Sequence, residues 1–317
     1  MNKKIFSLGI DTSNYKTSVA IVDNTGEVLF NSQELLTVKK GERGLRQSEA
    51  LFQHVQKLPE VIEEALKEDS IRENIGCVAV STKPRPVEGS YMPVFTAGES
   101  CAKNLSTALN VPLYEYSHQE GHLEAIRYYS ELANKDPIIC FHFSGGTTEA
   151  LLIDETNGIF EIVGGSKDLA YGQVLDRVGV SIGLEFPCGE AMDKIAMSSI
   201  GRKNVLSKIK VNDGYVNLSG IETQAQRALE AETIPAVLID DLFFKLSFSI
   251  MEMTMQLSTK YNIDNFIYAG GVSCSSYMRN FLAENLYKEL NIVFGKPQLS
   301  SDNAIGIALL GGKNIWL

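Results

Sequence analysis

The sequence has few cysteines, no long apolar run and a minority of basic residues, and each shortage excludes a class of protein. Its five cysteines are scattered through 317 residues without a C-x-x-C pair, which excludes a disulfide framework and a zinc knuckle. No stretch approaches the roughly 20 apolar residues that a membrane-spanning helix needs. The first residues also lack the apolar region of a signal peptide, so we expect a cytoplasmic protein that does not contact a membrane.

The charge is acidic: 29 Lys and Arg residues face 39 Asp and Glu residues, for a net charge of −10. This is the wrong sign for a protein that grips nucleic acid by itself, so a nucleic acid would need a basic patch or a partner. Hydrophobic residues make up 44% of the chain, enough to form real cores. At roughly 150 residues per domain the length predicts two lobes, which we place at 1–135 and 136–317, with the last helix packing back toward the first lobe.

Two parts of the chain share one pattern of apolar runs and turns. Each begins with a strand and a small polar turn, continues with a second strand, and passes through an Asn/Gly turn into a third. The predicted strands are 5–11, 18–22 and 27–30 in the first part and 138–143, 150–153 and 159–163 in the second. The repetition predicts an internal duplication, although any antiparallel sheet can give such a pattern.

Helical spacing of apolar residues predicts helices between and after these strands. They cover 45–66, 97–109, 118–132, 169–183, 189–198, 234–261 and 277–290, and a last helix begins near Asn303. We expect Pro59 to bend or split the first of them. Together with the strands, this predicts an α/β protein in which each lobe has a mixed sheet flanked by helices.

Three loops carry residues that suit the phosphates of a nucleotide. Ser144-Gly145-Gly146 joins two predicted strands, and its glycines let backbone N–H groups converge on an anion, although an ordinary hairpin turn is the alternative. Gly270-Gly271 ends a short strand and opens into a helix, which offers close approach and a helix N-terminus. Asp11 ends the first strand, where it either holds a donor or a metal-bound water near those phosphates or is a solvated turn residue.

A candidate metal site lies in the predicted helix that begins at His118. His118 and His122 are four residues apart and therefore share a helix face, so both imidazoles can reach one zinc or iron ion. We select Asp302 as the third ligand, because two histidines and one oxygen leave positions open for a substrate. The alternative is two surface histidines, with Asp302 as a helix N-cap. The zinc-protease pattern H-E-x-x-H is not met, because Gln119 occupies the position of the general base.

Five motifs together resemble one family along the whole chain. They are Gly9-Ile10-Asp11-Thr12-Ser13, His118-x-x-x-His122, Ser144-Gly145-Gly146-Thr147, Ala269-Gly270-Gly271-Val272-Ser273 and Ser301-Asp302-Asn303. The chain resembles the catalytic subunit of the tRNA threonylcarbamoyladenosine synthase, TsaD, formerly called O-sialoglycoprotein endopeptidase. The resemblance implies the duplicated actin and sugar-kinase-like (ASKHA) fold.

The resemblance also implies a set of site residues. In that family two histidines and an aspartate hold iron or zinc, and these correspond to His118, His122 and Asp302. The nucleotide-binding residues that we assign are His142, Phe143, Ser144, Gly145, Gly146, Asp176, Gly189, Gly270, Gly271 and Ser275. Asp11 and Ser144 are the candidate catalytic residues.

The implied reaction transfers a threonylcarbamoyl group from an ATP-derived adenylate to an adenosine amine beside the tRNA anticodon. Metal and loop donors would polarise the carbonyl, and AMP would leave. The implied partners are tRNA, a paralogous dimerisation subunit and an ATPase subunit.

Several loops depart from the family pattern. Where the family has S-C-D-E-T, this chain has Ser13-Asn14-Tyr15-Lys16-Thr17, which loses two acids and gains a cation. The family's glycine-rich loop is replaced by 83–90, its S-G-G-H-T histidine by Thr147 and its G-G-V-S-A-N asparagine by Ser275. A paralogue with a changed substrate, a small-molecule kinase of the same superfamily and a non-catalytic subunit are therefore alternatives, but the intact metal triad counts against the last two.

Overall fold

The computed structural model of the chain describes residues 5–13, 16–38, 45–143, 145–157, 159–198, 203–295 and 303–316. The chain divides into two compact units, unit 1 with Met1–Tyr129 and Gln298–Leu317, and unit 2 with Ser130–Pro297. The lobe boundary that we placed at residues 135 and 136 stays a prediction.

Unit 1 is built on a five-stranded mixed sheet with the strand order β3-β2-β1-β4-β5. The strands are β1 (Phe6–Thr12), β2 (Lys16–Val22), β3 (Val28–Leu35), β4 (Ile75–Lys83) and β5 (Leu113–Ser117). The first three form the antiparallel meander that the sequence predicts, and β4 and β5 extend it in parallel. The carboxyl end of β1 therefore lies at the same sheet edge as the ends of β4 and β5.

Helices cover both faces of this sheet. They are α1 (Gln47–Ala65), the short α2 (Asp69–Arg72), α3 (Phe95–Leu109), α4 (His118–Tyr128) and α10 (Ile305–Lys313). One face packs on α1 and α3 through Leu8 and Ile10, and the other packs on α4 and α10, where Gly9 meets the backbone of Ala304. Pro59 lies inside α1, which is one continuous helix because its buried apolar side chains hold both halves against the sheet.

Unit 2 has a six-stranded sheet with the order β11-β10-β6-β7-β8-β9. Its strands are β6 (Ile138–Phe143), β7 (Thr148–Asp154), β8 (Ile159–Ser166), β9 (Tyr215–Val216), β10 (Asn265–Ala269) and β11 (Asn291–Phe294). Its helices are α5 (Tyr171–Ser181), α6 (Gly189–Met197), α7 (Ser219–Glu230), α8 (Pro235–Tyr261) and α9 (Ser276–Leu286). The core is aromatic, and the rings of Phe141, Phe143 and Tyr268 stack on one another in nearly parallel planes.

The two sheets repeat one topology. In each, the first strand pairs antiparallel with the second strand of a meander and parallel with a later strand, β4 in unit 1 and β10 in unit 2. This repetition confirms the predicted α/β fold with two mixed sheets flanked by helices. Within the described ranges, no helix combines the length and the apolar character that crossing a bilayer requires.

Candidate functional site

The two predicted metal-binding histidines lie in the first two turns of α4. Ser117 caps the helix, because its hydroxyl accepts the backbone N–H of Glu120 at 3.2 Å while the Glu120 carboxylate accepts the Ser117 N–H at 2.7 Å. This reciprocal capping box fixes where the helix starts. His118 is therefore the first helical residue and follows directly on the end of β5.

Asp11 fixes the orientation of the first histidine. It is fully buried at the end of β1, and its Oδ1 lies 2.9 Å from His118 Nδ1 and 2.5 Å from the Ser81 hydroxyl, which donates to it. A carboxylate can only accept here, so Nδ1 carries the proton and Nε2 presents its lone pair. Carboxylates that hold a metal-binding histidine in this way set the tautomer and make the imidazole a better ligand. The geometry thus favours Asp11 as a positioning residue.

The second histidine converges on the same point. His122 Nε2 lies 2.9 Å from His118 Nε2, and the rings meet edge to face. Because His118 Nε2 is the acceptor, His122 Nε2 donates to it here, and a metal ion with bonds of about 2.0–2.1 Å to both nitrogens would take the place of that proton. The pair therefore fits iron or zinc. Among the described residues no three His, Cys, Asp or Glu side chains are grouped to hold a metal, and Asp302, the third predicted ligand, lies outside them.

Close packing of two helices holds the histidine helix in place. A Cβ at Gly306 of α10 would lie 1.8 Å from the carbonyl oxygen of Gly121, so the close approach of the two backbones requires a glycine at this position. Lys313 of α10 also donates to the Glu124 carboxylate at 2.8 Å. The first turn of α10, just after the segment that contains Asp302, therefore lies against the helix turn between the two histidines.

Hydrogen bonds hold the ends of two loops at the same sheet edge, near the histidines. The Gln119 backbone N–H donates to the carbonyl oxygen of Pro84 at 3.1 Å, which anchors the segment after β4 to the first turn of α4. On the other side, buried His54 bridges the ends of the β1–β2 loop, with Nε2 at 2.9 Å from the Ser13 carbonyl and Nδ1 at 2.8 Å from the Thr17 hydroxyl. Because a carbonyl only accepts, Nε2 carries the proton; burial lowers the pKa of His54 and keeps it neutral.

In unit 2, the predicted phosphate loop follows β6. His142 and Phe143 end this strand, and the Phe143 side chain is part of the aromatic core, so only its backbone can face a ligand. A Cβ added at Gly145 or Gly146 would meet no atom within 4 Å, which shows that this loop has open space beside it. Ser144 lies outside the described residues.

The glycine pair after β10 packs against the same strand end. Gly270 has a φ of +89°, and a Cβ there would lie 2.2 Å from the Phe143 carbonyl oxygen. Gly271 then begins a 3-10 turn over Gly271–Cys274, and α9 follows from Ser276, one residue before the predicted helix start at 277. Gly270 therefore lets the end of β10 lie against the end of β6, and the close approach of this glycine pair to a nucleotide stays a prediction.

The first turn of α9 is occupied by the protein's own side chains. Asp193 of α6 accepts the hydroxyl of Ser275 at 2.5 Å and the backbone N–H groups of Ser276 and Tyr277 at 2.9 and 3.1 Å. Ser275 itself caps the helix through the Met278 N–H. The N-terminus of α9, which the sequence predicts to bind a nucleotide, thus already binds the carboxylate of Asp193 from α6.

Asp176 and Gly189 are brought together at the start of α6. The Asp176 carboxylate accepts the N–H of Cys188 at 2.8 Å. The next residue, Gly189, begins α6, and a Cβ added to it would meet no atom within 4 Å. Together with Ser275 and Asp193, these residues lie around one helix of unit 2. Their roles in nucleotide binding stay predictions.

Sequence reasoning missed Ser81, Asp193 and His54. Each acts on a residue far away in the chain, at separations of 70, 82 and 41 residues respectively. None stands in a recognisable motif, so their only signal is the fold that brings the partners together.

Comparison with known structures first identifies the class. Thermus thermophilus ROK hexokinase matches 98% of this chain and 99% of its own at 14% identity, with a TM-score of 0.54. T. kodakarensis HypF matches 98% of this chain and 48% of its own at 13% identity, with a TM-score of 0.64. At such low identity the likeness establishes the fold alone, that of the actin and sugar-kinase-like (ASKHA) proteins.

Sequence comparison identifies the family within this class. The model of the family TsaD, tRNA N6-adenosine threonylcarbamoyltransferase, matches residues 27–309. A tRNA N6-adenosine threonylcarbamoyltransferase of Prochlorococcus marinus subsp. pastoris is 30% identical over 96% of this chain and 89% of its own length. The chain belongs to the TsaD family.

Proposed function

We propose that this chain is an acyltransferase that moves a threonylcarbamoyl group from an ATP-derived adenylate to the N6 amine of an anticodon-adjacent tRNA adenosine. Membership of the TsaD family supports the reaction class. The observation that carries the proposal is the pair of Nε2 atoms, 2.9 Å apart, of which one imidazole is oriented by buried Asp11.

His118, His122 and Asp302 would hold the metal, iron or zinc, next to the acyl part of the adenylate. A bound metal of this kind supplies Lewis-acid polarisation of an oxygen on the substrate. Asp11 keeps the His118 proton on Nδ1, and Ser81 donates to the same carboxylate oxygen, so the histidine cannot turn away from the site.

The chemistry itself is an acyl transfer. The N6 nitrogen forms a bond to the carbamoyl carbon, the bond from that carbon to the phosphate oxygen breaks, AMP leaves with the electron pair, and the amine loses a proton. In unit 2, backbone groups of residues 142–146, with Asp176 and Gly189, would bind the adenylate, and Ser144 would add a hydroxyl donor.

Protein partners complete the proposal. A chain with a net charge of −10 needs help to hold tRNA, so we expect a paralogous dimerisation subunit and an ATPase subunit to act with it.

The activity is tested by expressing the chain in a bacterium depleted of its own transferase and measuring threonylcarbamoyladenosine in digested tRNA by mass spectrometry. Restored nucleoside supports the proposal. Folded, metal-loaded protein that fails to restore it, even when supplied with the partners of its own cell, contradicts it.

The metal site is tested separately by metal analysis of purified variants. His118→Ala and His122→Ala should each lose most of the bound iron or zinc, because each removes one of the converging nitrogens. His142→Ala is the matched control, since the proposal assigns this histidine to the adenylate and not to the metal, so the metal content should stay unchanged. Equal losses in all three variants would show that the assignment is wrong.

A further inference from the structure

A half-buried lysine lies on the same sheet face as Asp11. Cross-strand pairing sets Ser18 of β2 opposite Asp11 of β1, and side chains alternate along a strand, so Lys16 lies on the same face as Ser18. Ala20 and Val22 continue this row and pack under Ala304 and residues of α10. Lys16 is therefore on the face of the sheet to which His118 is bound, at the edge where β1 ends.

The charge of Lys16 is not neutralised within the described part of the chain. Its ammonium donates to the side-chain oxygen of Gln33 at 3.0 Å, and this neutral amide is its one recorded partner there. Lys57 and Lys245, which are also partly buried, each lie beside a carboxylate, Glu34 and Asp241 respectively. An amide orients the ammonium without cancelling its charge, which leaves the cation available to an anion from outside.

Lys83 adds a second cation at this edge. It is the last residue of β4, is half-buried, and pairs in register with Ser117, the residue directly before His118. No ion pair is recorded for it among the described residues. Lys16 and Lys83 thus lie on strands on either side of the end of β1, in a protein that is otherwise acidic. Positive charge at one place in an acidic protein concentrates an anionic ligand there.

We propose that Lys16 binds an anionic group of the acyl donor, a carboxylate or a phosphate, beside the His118–His122 pair. This proposal rests on the proposed function, in which the donor carries both groups: the threonylcarbamoyl part ends in a carboxylate and the adenylate contains a phosphate. Lys16 would then determine which donors the chain accepts, and uncharged acyl groups would bind less well.

The test measures dissociation constants by calorimetry on the metal-loaded protein, with N-carbamoyl-L-threonine as the carboxylate probe and AMP as the phosphate probe. Lys16→Gln should weaken one probe by about 10- to 100-fold, the usual worth of a charge-assisted hydrogen bond. Lys16→Arg should retain most of the affinity. Lys67→Gln, at an exposed lysine just after α1, is the matched control and should change nothing.

Each outcome decides the matter. Loss confined to N-carbamoyl-L-threonine assigns Lys16 to the carboxylate, and loss confined to AMP assigns it to the phosphate. If wild-type protein binds the probes and Lys16→Gln, with unchanged melting temperature and metal content, binds them equally well, the proposal for Lys16 fails while the proposed function stands. Wild-type protein that binds neither probe would overturn both.

Discussion

Replacing Gly306 by alanine should both destabilise unit 1 and weaken metal binding. The added Cβ would lie 1.8 Å from the Gly121 carbonyl oxygen and 2.9 Å from the Ala125 nitrogen. Carbon–oxygen contacts are normally about 3.3–3.6 Å, so α4 and α10 would have to separate by roughly 1.5 Å. Both groups are backbone and cannot rotate away, so the helices themselves must move.

The cost follows from the packing. Overpacking a tight contact costs about 1–3 kcal/mol, and a backbone clash belongs at the upper end, while alanine's better helix propensity returns up to about 1 kcal/mol. A net loss of about 2 kcal/mol lowers the melting temperature by roughly 4–8 °C in a domain of this size. Because Gly121 lies between the two histidines, the same shift moves the His118–His122 pair relative to α10, and metal affinity should fall.

The assay combines thermal unfolding with titration of zinc into metal-free protein. Gly220→Ala is the control: Gly220 is the second residue of α7 and a Cβ there would meet no atom within 4 Å, so alanine should not lower the melting temperature. A Gly306→Ala protein whose melting temperature and zinc affinity both match the wild type would refute the reasoning.

Three further predictions concern other contacts. Burial opposes ionisation of Asp168, but hydrogen bonds from Ser219 and the start of α7 lower its pKa to about 2. The ionised carboxylate therefore contributes its full stabilisation of the fold above pH 3.8, and this contribution is lost toward pH 2. Asp168→Ala should lower the urea midpoint at neutral pH but not near pH 2. Burial lowers the pKa of His54, so the stability that neutral His54 contributes is fully present above pH 6.5, the ordinary pKa of histidine, and decreases as the pH falls below 6.5. His54→Gln should make the stability measured in urea titrations less dependent on pH. An unchanged pH dependence would exclude the neutral bridge. Gly270→Ala should cost about 2 kcal/mol or more in urea unfolding, since it combines a φ of +89° with a clash against Phe143, and a smaller loss would show that the loop relaxes.

The strands and their repetition could be predicted because their signals are local. Alternating or continuous apolar runs and the Asn24-Thr25-Gly26 turn are visible in the letters, and the structure confirms both meanders. Helix ends were less accurate. The helices predicted to reach 132 and 290 end at 128 and 286, because Leu132 and Leu290 remain buried after the helix has ended and so continue the apolar spacing.

The candidate site could be predicted only in part. The four-residue spacing of His118 and His122 is local, so their shared helix face follows from the sequence, and the structure brings the two rings together. The contact of Asp11 with His118 spans 107 residues and depends on the parallel register of β1 with β4 and of β4 with β5. Sheet register of this kind is a property of the whole fold and has no signature at either residue.

The place of α10 in unit 1 affects how the protein is made. Residues 130–297, which form unit 2, are one continuous stretch, whereas unit 1 needs both the residues before 130 and the helix that follows 297. During synthesis, unit 2 can fold as soon as it leaves the ribosome, but α4 waits for its partner until α10 has been translated. The histidine pair therefore gains its final support late, and binding of the proposed metal should follow translation of α10. A ribosome-bound chain that stops before residue 303 should have a folded unit 2 and an immature metal site.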